Sequence, residues 1–190
     1  MTTRTAALYS LIKPSSRVAE ALLLVAFNAL LVLCSYIAIN VPFSPVPITG
    51  QTFGILVVAM ALGRVRGTAV VLAYLAEGAA GLPVFAGGSA GVVKFLGPTG
   101  GYLMGFLVAA FVVGYLADRG WDKRYITSVA AMTLGTIIIF AGGLTWLSTL
   151  IPASTVLTMG LYPFIPGALI KIALASVILP SVWKFTRPGR

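Results

Sequence analysis

The chain contains no histidine, a single cysteine and only four acidic residues, Glu20, Glu77, Asp118 and Asp122, in 190 positions. Without histidine there is no His-dependent catalytic triad, no His-ligated metal and no imidazole proton relay. A lone Cys34 excludes an intrachain disulfide and a cysteine-built metal site, and its place inside an apolar run assigns it to packing. Charge is equally scarce. Charged residues make up 9% of the chain and hydrophobic ones 59%, with a mean hydropathy of +1.03, whereas soluble domains carry roughly 25% charge. This is the composition of an integral membrane protein. No glycine-rich phosphate loop followed by Lys and Ser/Thr is present, so any nucleotide hydrolysis belongs to another chain.

What charge exists is mostly positive, for a net +9. Nucleic-acid binding would need those cations clustered on one face among polar neighbours. They stand instead at the ends of apolar segments, which excludes a nucleic-acid partner and points to a lipid bilayer. Apolar runs place helices at Val18–Ile39, Gln51–Leu62, Thr68–Ala80, Tyr102–Ala117, Ile126–Leu150 and Pro166–Trp183. The first is long enough to cross a hydrocarbon core of about 30 Å and too long for a signal-peptide core. The second and third are short, and interrupted short segments accompany binding sites in membrane transporters.

Eleven of the thirteen basic residues fall on alternate connections: Arg4, Lys13, Arg17, Arg64, Arg66, Arg119, Lys123, Arg124, Lys184, Arg187 and Arg190. The positive-inside rule puts those connections in the cytoplasm. The expected fold is an all-α integral membrane protein with six transmembrane helices and both termini cytoplasmic. Residues 1–17 and 185–190 are tails, and 18–184 form one membrane domain. Its Gly/Pro-rich connections then face outward together and cap a ligand site.

Those connections are Val41–Gly50, with three prolines, Gly81–Tyr102, and Pro152–Phe164. The second is dense in glycine (Gly81, Gly87, Gly88, Gly91, Gly97, Gly100, Gly101) and broken by Pro83 and Pro98, so it forms no regular helix. It remains apolar through Val84, Phe85, Val92, Val93, Phe95 and Leu96. Irregular backbone at membrane depth is tolerated where protein buries it or where it lines a cavity. The expectation is a buried loop that closes over a small ligand, with Val41–Gly50 as a second lid.

The two remaining cations are Lys94, in the glycine-rich loop, and Lys171, near the outer end of the last helix. An ionisable residue inside a membrane segment marks a functional site by default; the competing reading for Lys171 is snorkelling to the interface, and for Lys94 simple hydration. Glu77 is positioned to pair with either lysine or to touch ligand. Small-residue rows Gly101–Gly105–Ala109, Ala69–Ala73 and Ala59–Gly63 suit close helix contact within the molecule.

Four stretches, SPVPITGQTF (44–53), GLPVFAGGSAG (81–91), GPTGGYLMGF (97–106) and YPFIPGALIK (162–171), occur in order at compatible spacing. Together they resemble the BioY family, the substrate-binding (S) components of bacterial energy-coupling-factor (ECF) biotin transporters. The resemblance runs from the first helix to the last. It implies biotin as ligand, a transmembrane coupling protein and cytoplasmic ATPase subunits as partners, no cofactor of its own, no enzymatic step, and a place in the bacterial cytoplasmic membrane. It also implies that the loaded subunit reorients in the bilayer when its ATPase-driven partner engages it. The family's G-D-x-x-K motif reads Gly167-Ala168-x-x-Lys171 here, so the usual acid is replaced by Ala168. The substrate-binding set expected from the resemblance and the residues together is Lys171, Gln51, Thr49, Glu77, Phe85, Lys94, Gly97, Thr99, Gly100 and Tyr102. Lys171 suits the biotin carboxylate or the ureido oxygen. Gln51 and Thr49 suit the ureido edge, and the N–H groups from Gly97 to Gly101 suit an anion at a helix start. An S component for thiamine or riboflavin, and a small channel or scaffold, are the competing readings.

Overall fold

The structure is a computed structural model that describes Tyr9 and residues 14–186, the side chains of 185 and 186 excepted. Arg4, Lys13, Arg187 and Arg190 of the expected tails lie outside the described residues. The elements run α1 (Arg17–Tyr36), β1 (Ala38–Ile39), β2 (Ile48–Thr49), α2 (Gln51–Ala79), α3 (Val93–Leu96), α4 (Gly100–Asp118), α5 (Tyr125–Leu147), α6 (Ala153–Gly160) and α7 (Ile165–Thr186). Among the described residues, five helical stretches are long and apolar enough to cross a membrane, counting α2 once and residues 153–184 as one.

α1 starts where the Ser16 hydroxyl accepts the Ala19 N–H at 3.1 Å, the usual Ser N-cap. It ends in β1, which pairs antiparallel with β2 in the register Ala38–Thr49 and Ile39–Ile48. The proline-rich segment between them is therefore a pinned hairpin. The apolar run extends to Ile39, but the helix stops at Tyr36 because Ala38 and Ile39 are claimed by this pairing.

α2 is folded back on itself. Gly63 has φ 79° and ψ −176°, a backbone state open essentially to glycine alone. Beyond it the chain reverses: a Cβ on Gly67 would sit 2.8 Å from the Ala59 Cα, and Gln51 Nε2 donates to the Tyr74 hydroxyl at 2.6 Å. In a straight helix those two residues would lie about 34 Å apart. The expected second and third helices are the arms 51–62 and 64–79. The turn is one residue, where the expected helices left 63–67 between them, because Asp118 Oδ2 accepts the Arg64 N–H at 3.1 Å and so caps the second arm from its first residue.

The core forms around the first arm, where Ile55, Val58, Ala59 and Met60 are fully buried. α4 packs against both α2 and α5. Gly101 and Gly105 have no room for a side chain against Gly142 and Ile139 of α5, so those small residues set the helix spacing within the molecule. α7 packs on α5 and α2. Its far end is held by Trp183, whose Nε1 donates at 2.8 Å to the fully buried Asp122.

Two connections carry more order than the sequence suggested. The Pro152–Phe164 stretch contains α6 and a 3-10 turn. The Gly81–Tyr102 stretch contains a 3-10 turn at Ala86–Gly88 and α3. It is tethered by Ser35 Oγ to the Val84 carbonyl at 2.6 Å, Tyr36 OH to that of Pro83 at 2.7 Å, and the Gly91 N–H to that of Gly78 at 2.7 Å. Its apolar residues are not uniformly buried, as was expected. Phe85 is sunk against Gly78 and makes edge contacts with Tyr74 and Phe95, whereas Val92, Val93 and Leu96 are exposed. Phe85 anchors the loop with Val84 and Phe95 packed against the core beside it, which leaves Val92, Val93 and Leu96 free to point outward.

Candidate ligand-binding site

Beneath the two proline- and glycine-rich connections lies a cavity of about 60 Å³. The β1–β2 connection supplies Val46, Pro47 and Thr49; the first arm of α2 supplies Gln51, Thr52, Phe53 and Leu56. α4 adds Thr99 at its cap, then Tyr102, Leu103 and Phe106. α5 adds Thr136, Ile139 and Phe140, and the far wall is Phe164 with Ala168, Lys171 and Ala175 of α7. Pro47, Gln51, Thr99 and Leu103 also wall a neighbouring space of about 330 Å³, lined further by Asn40, Phe85, Ser89, Lys94 and Gly97. The two chambers thus share a partition.

The inner chamber is mainly aromatic and aliphatic. Phe140 stands between Tyr102 and Phe164, with ring centroids 6.4 Å and 6.3 Å away. Tyr102 lies against Gly143, where any side chain would overlap its ring, and its hydroxyl donates to the Gly160 carbonyl at 2.8 Å. That bond fixes the ring as a wall.

Lys171 is the one charged side chain on the inner wall. Its ammonium donates to the Thr49 carbonyl at 2.5 Å and to Thr52 Oγ1 at 3.1 Å. Thr49 Oγ1 donates to Gln51 Oε1 at 3.0 Å and accepts the Gln51 N–H at 3.3 Å, while Gln51 Nε2 is held by Tyr74. A chain of hydrogen bonds therefore runs from α7 through the α2 start to the second arm. Lys94 is the one charged residue on the outer chamber wall. Among the described residues no carboxylate lines either space, so a lysine in each makes the field positive and suits an anionic or strongly polarised ligand.

Of the expected site residues, Lys171, Thr49, Gln51, Thr99 and Tyr102 meet at the inner chamber, and Lys94, Gly97 and Phe85 line the outer one. Two do not join them. Glu77 lies in a separate groove between α1 and α2, where Asn28 Nδ2 donates to it at 3.2 Å. Among the described residues it pairs with neither lysine. Gly100 is packed against the Phe95 carbonyl and the Trp146 indole and faces a groove on the other side of α4. The expected anion-binding amides are also partly spent: the Gly97 N–H donates to Val93 O and that of Gly100 to Gly97 O, both at 3.0 Å. Sequence reasoning did not find Thr52, Thr136 or Phe140. Thr52 was within reach, since it lies three residues after Thr49 and in the first turn of α2.

The model of the BioY family matches residues 4–188. The biotin transporter BioY of Thermotoga maritima is 39% identical over 153 residues, 80% of this chain and 88% of that protein. The biotin transporter BioY of Rhodobacter capsulatus is 37% identical over 178 residues, 86% of this chain and 92% of that one. A crystal structure of the S-component for biotin from an ECF-type ABC transporter superposes with a TM-score of 0.80 at 33% identity, covering 88% of this chain and 92% of the other.

Proposed function

The chain belongs to the BioY family, and from that premise we propose that it captures biotin as the S component of an ECF-type transporter in a bacterial cytoplasmic membrane. The whole chain acts as one membrane domain. Counting the two arms of α2 separately gives six crossings, with both termini cytoplasmic and the two chambers open to the outside. ATP is consumed by partner ATPase subunits that act through a transmembrane coupling protein, and the loaded subunit reorients when they engage it.

The observation that carries this reading is the pair of adjoining chambers, each with one lysine and, among the described residues, no acid. Biotin is a compact, bent bicycle with an apolar thioether ring, a polar ureido edge and an anionic tail. The bicycle enters the aromatic inner chamber, whose walls part to admit it since the space before binding is about 60 Å³, with its ureido oxygen taking a hydrogen bond from Lys171 and its edge facing Gln51 and Thr49. The tail passes the partition formed by Pro47, Gln51, Thr99 and Leu103 and sets its carboxylate near Lys94. Phe85 and Gly97 shape the outer wall, and Tyr102 the inner one. No covalent step and no cofactor is needed: binding rests on apolar contact plus a few converging polar groups.

Expression of the chain in a bacterium that can neither make nor import biotin tests this. Growth on low external biotin supports the proposal. Failure to grow, with the chain present in the membrane beside its ATPase and coupling partners, refutes it.

A further inference from the structure

On its outward face α4 presents Met104, Val108, Phe111 and Tyr115, all exposed and spaced three or four residues apart, so they form one apolar stripe. At the end of the stripe two guanidinium groups from different parts of the chain converge on one ring. Arg119, just past α4, lies 4.2 Å from the Tyr115 centroid. Arg64, just past the reversal at Gly63, lies 5.9 Å from the same centroid and 5.7 Å from that of Phe111. Both arginines are exposed, and among the described residues neither is in a salt bridge, the one such bridge joining Arg66 to Glu20.

The pair is held on a rigid frame. The Arg64 N–H is fixed by Asp118 Oδ2 at 3.1 Å, and Gly114 meets the Arg64 backbone so closely that a Cβ would lie 2.7 Å from its Cα. A guanidinium over a ring uses its face and leaves its N–H edge open, the geometry that binds phosphate oxygens. Asp118 already supplies one carboxylate here, on the Arg64 N–H, but it sets one negative charge against two positive ones, so the pair stays net positive and suits a further anion, while the adjoining stripe suits hydrocarbon.

We propose that Arg64 and Arg119 form a headgroup site for an anionic phospholipid, with an acyl chain lying along Tyr115, Phe111, Val108 and Met104. The site stands at the opposite end of α4 from the chambers and does not depend on what they bind.

Native mass spectrometry of the full chain tests it, with phosphatidylglycerol, phosphatidylcholine and inorganic phosphate as probes. Wild type is expected to retain phosphatidylglycerol in preference to phosphatidylcholine, unaffected by millimolar phosphate. R64Q/R119Q should bind phosphatidylglycerol roughly thirtyfold more weakly, two juxtamembrane charges being removed. The charge-matched K123Q/R124Q should lose less than about threefold if the site is local. R119Q alone, at an exposed position, should lose about fivefold and covers the case in which the double variant misfolds. Equal retention of the two lipids overturns the proposal, as do equal losses in the two double variants, which would mean a diffuse positive field. Displacement of the lipid by inorganic phosphate overturns it in favour of a free-phosphate site.

Discussion

The Lys171 ammonium and the Thr49 carbonyl are in direct hydrogen-bond contact across 122 positions of sequence. This bond ties the last helix to the turn that starts α2, at the floor of the inner chamber. A half-buried ammonium with two oxygen partners keeps a third N–H, and the chamber is where that donor can be used. Replacing Lys171 by Met keeps the stem and removes the donors. Biotin affinity should fall by about 1.5–3 kcal/mol, the worth of a hydrogen bond to a charged group, or roughly 10–150-fold by equilibrium dialysis. Unchanged affinity in a folded variant would remove Lys171 from the site.

Lys94 should act on the other end of the ligand. Lys94→Ala is expected to weaken biotin by about 0.5–1 kcal/mol, because its chamber is partly open and screened. Biotin methyl ester, which lacks the negative charge, should bind the variant and the wild type alike. An equal loss for acid and ester would move the carboxylate away from Lys94.

Ala168 lines the inner chamber with Lys171, at the position where the family motif carries an acid. Ala168→Asp would add an acceptor for the ureido N–H groups one turn from Lys171. The expected gain is about 1.5–3 kcal/mol in biotin affinity, measured by the same dialysis. A loss would place the ureido edge elsewhere.

Glu77→Gln should leave biotin affinity within about 0.5 kcal/mol of wild type. The residue faces Asn28 in a different groove, so a large loss would show that this groove belongs to the binding site.

Gly63→Ala puts a Cβ on a residue with φ 79° and ψ −176°. The cost should be about 1–3 kcal/mol, read as a lower melting temperature in detergent. The helical hairpin depends on this one residue, so an unaltered melting temperature would contradict the reversal.

Much of this arrangement is legible in the sequence. Long apolar runs are visible through hydropathy, and Lys94 and Lys171 stand out because the other cations follow the positive-inside pattern. Glycine and proline density marks the connections that roof the chambers. Two things are not legible. Gly100 follows Thr99 in sequence, and Glu77 lies one turn after Tyr74, which holds Gln51, yet helix rotation turns each to another groove, and rotation is set by packing that a single run of letters does not contain. The N–H groups of Gly97 and Gly100 are free by sequence and spent in the fold, because local 3-10 and helical bonds claim them first. Phe140 was hidden for the same reason as Thr136: on an apolar helix every face looks alike until its neighbours are known.

The most direct test is calorimetric titration of the purified chain with biotin, run beside thiamine and riboflavin. The account predicts saturable one-to-one binding of biotin and none of the other two vitamins. Binding of thiamine or riboflavin, or no heat with biotin in a folded, ligand-free preparation, would contradict it.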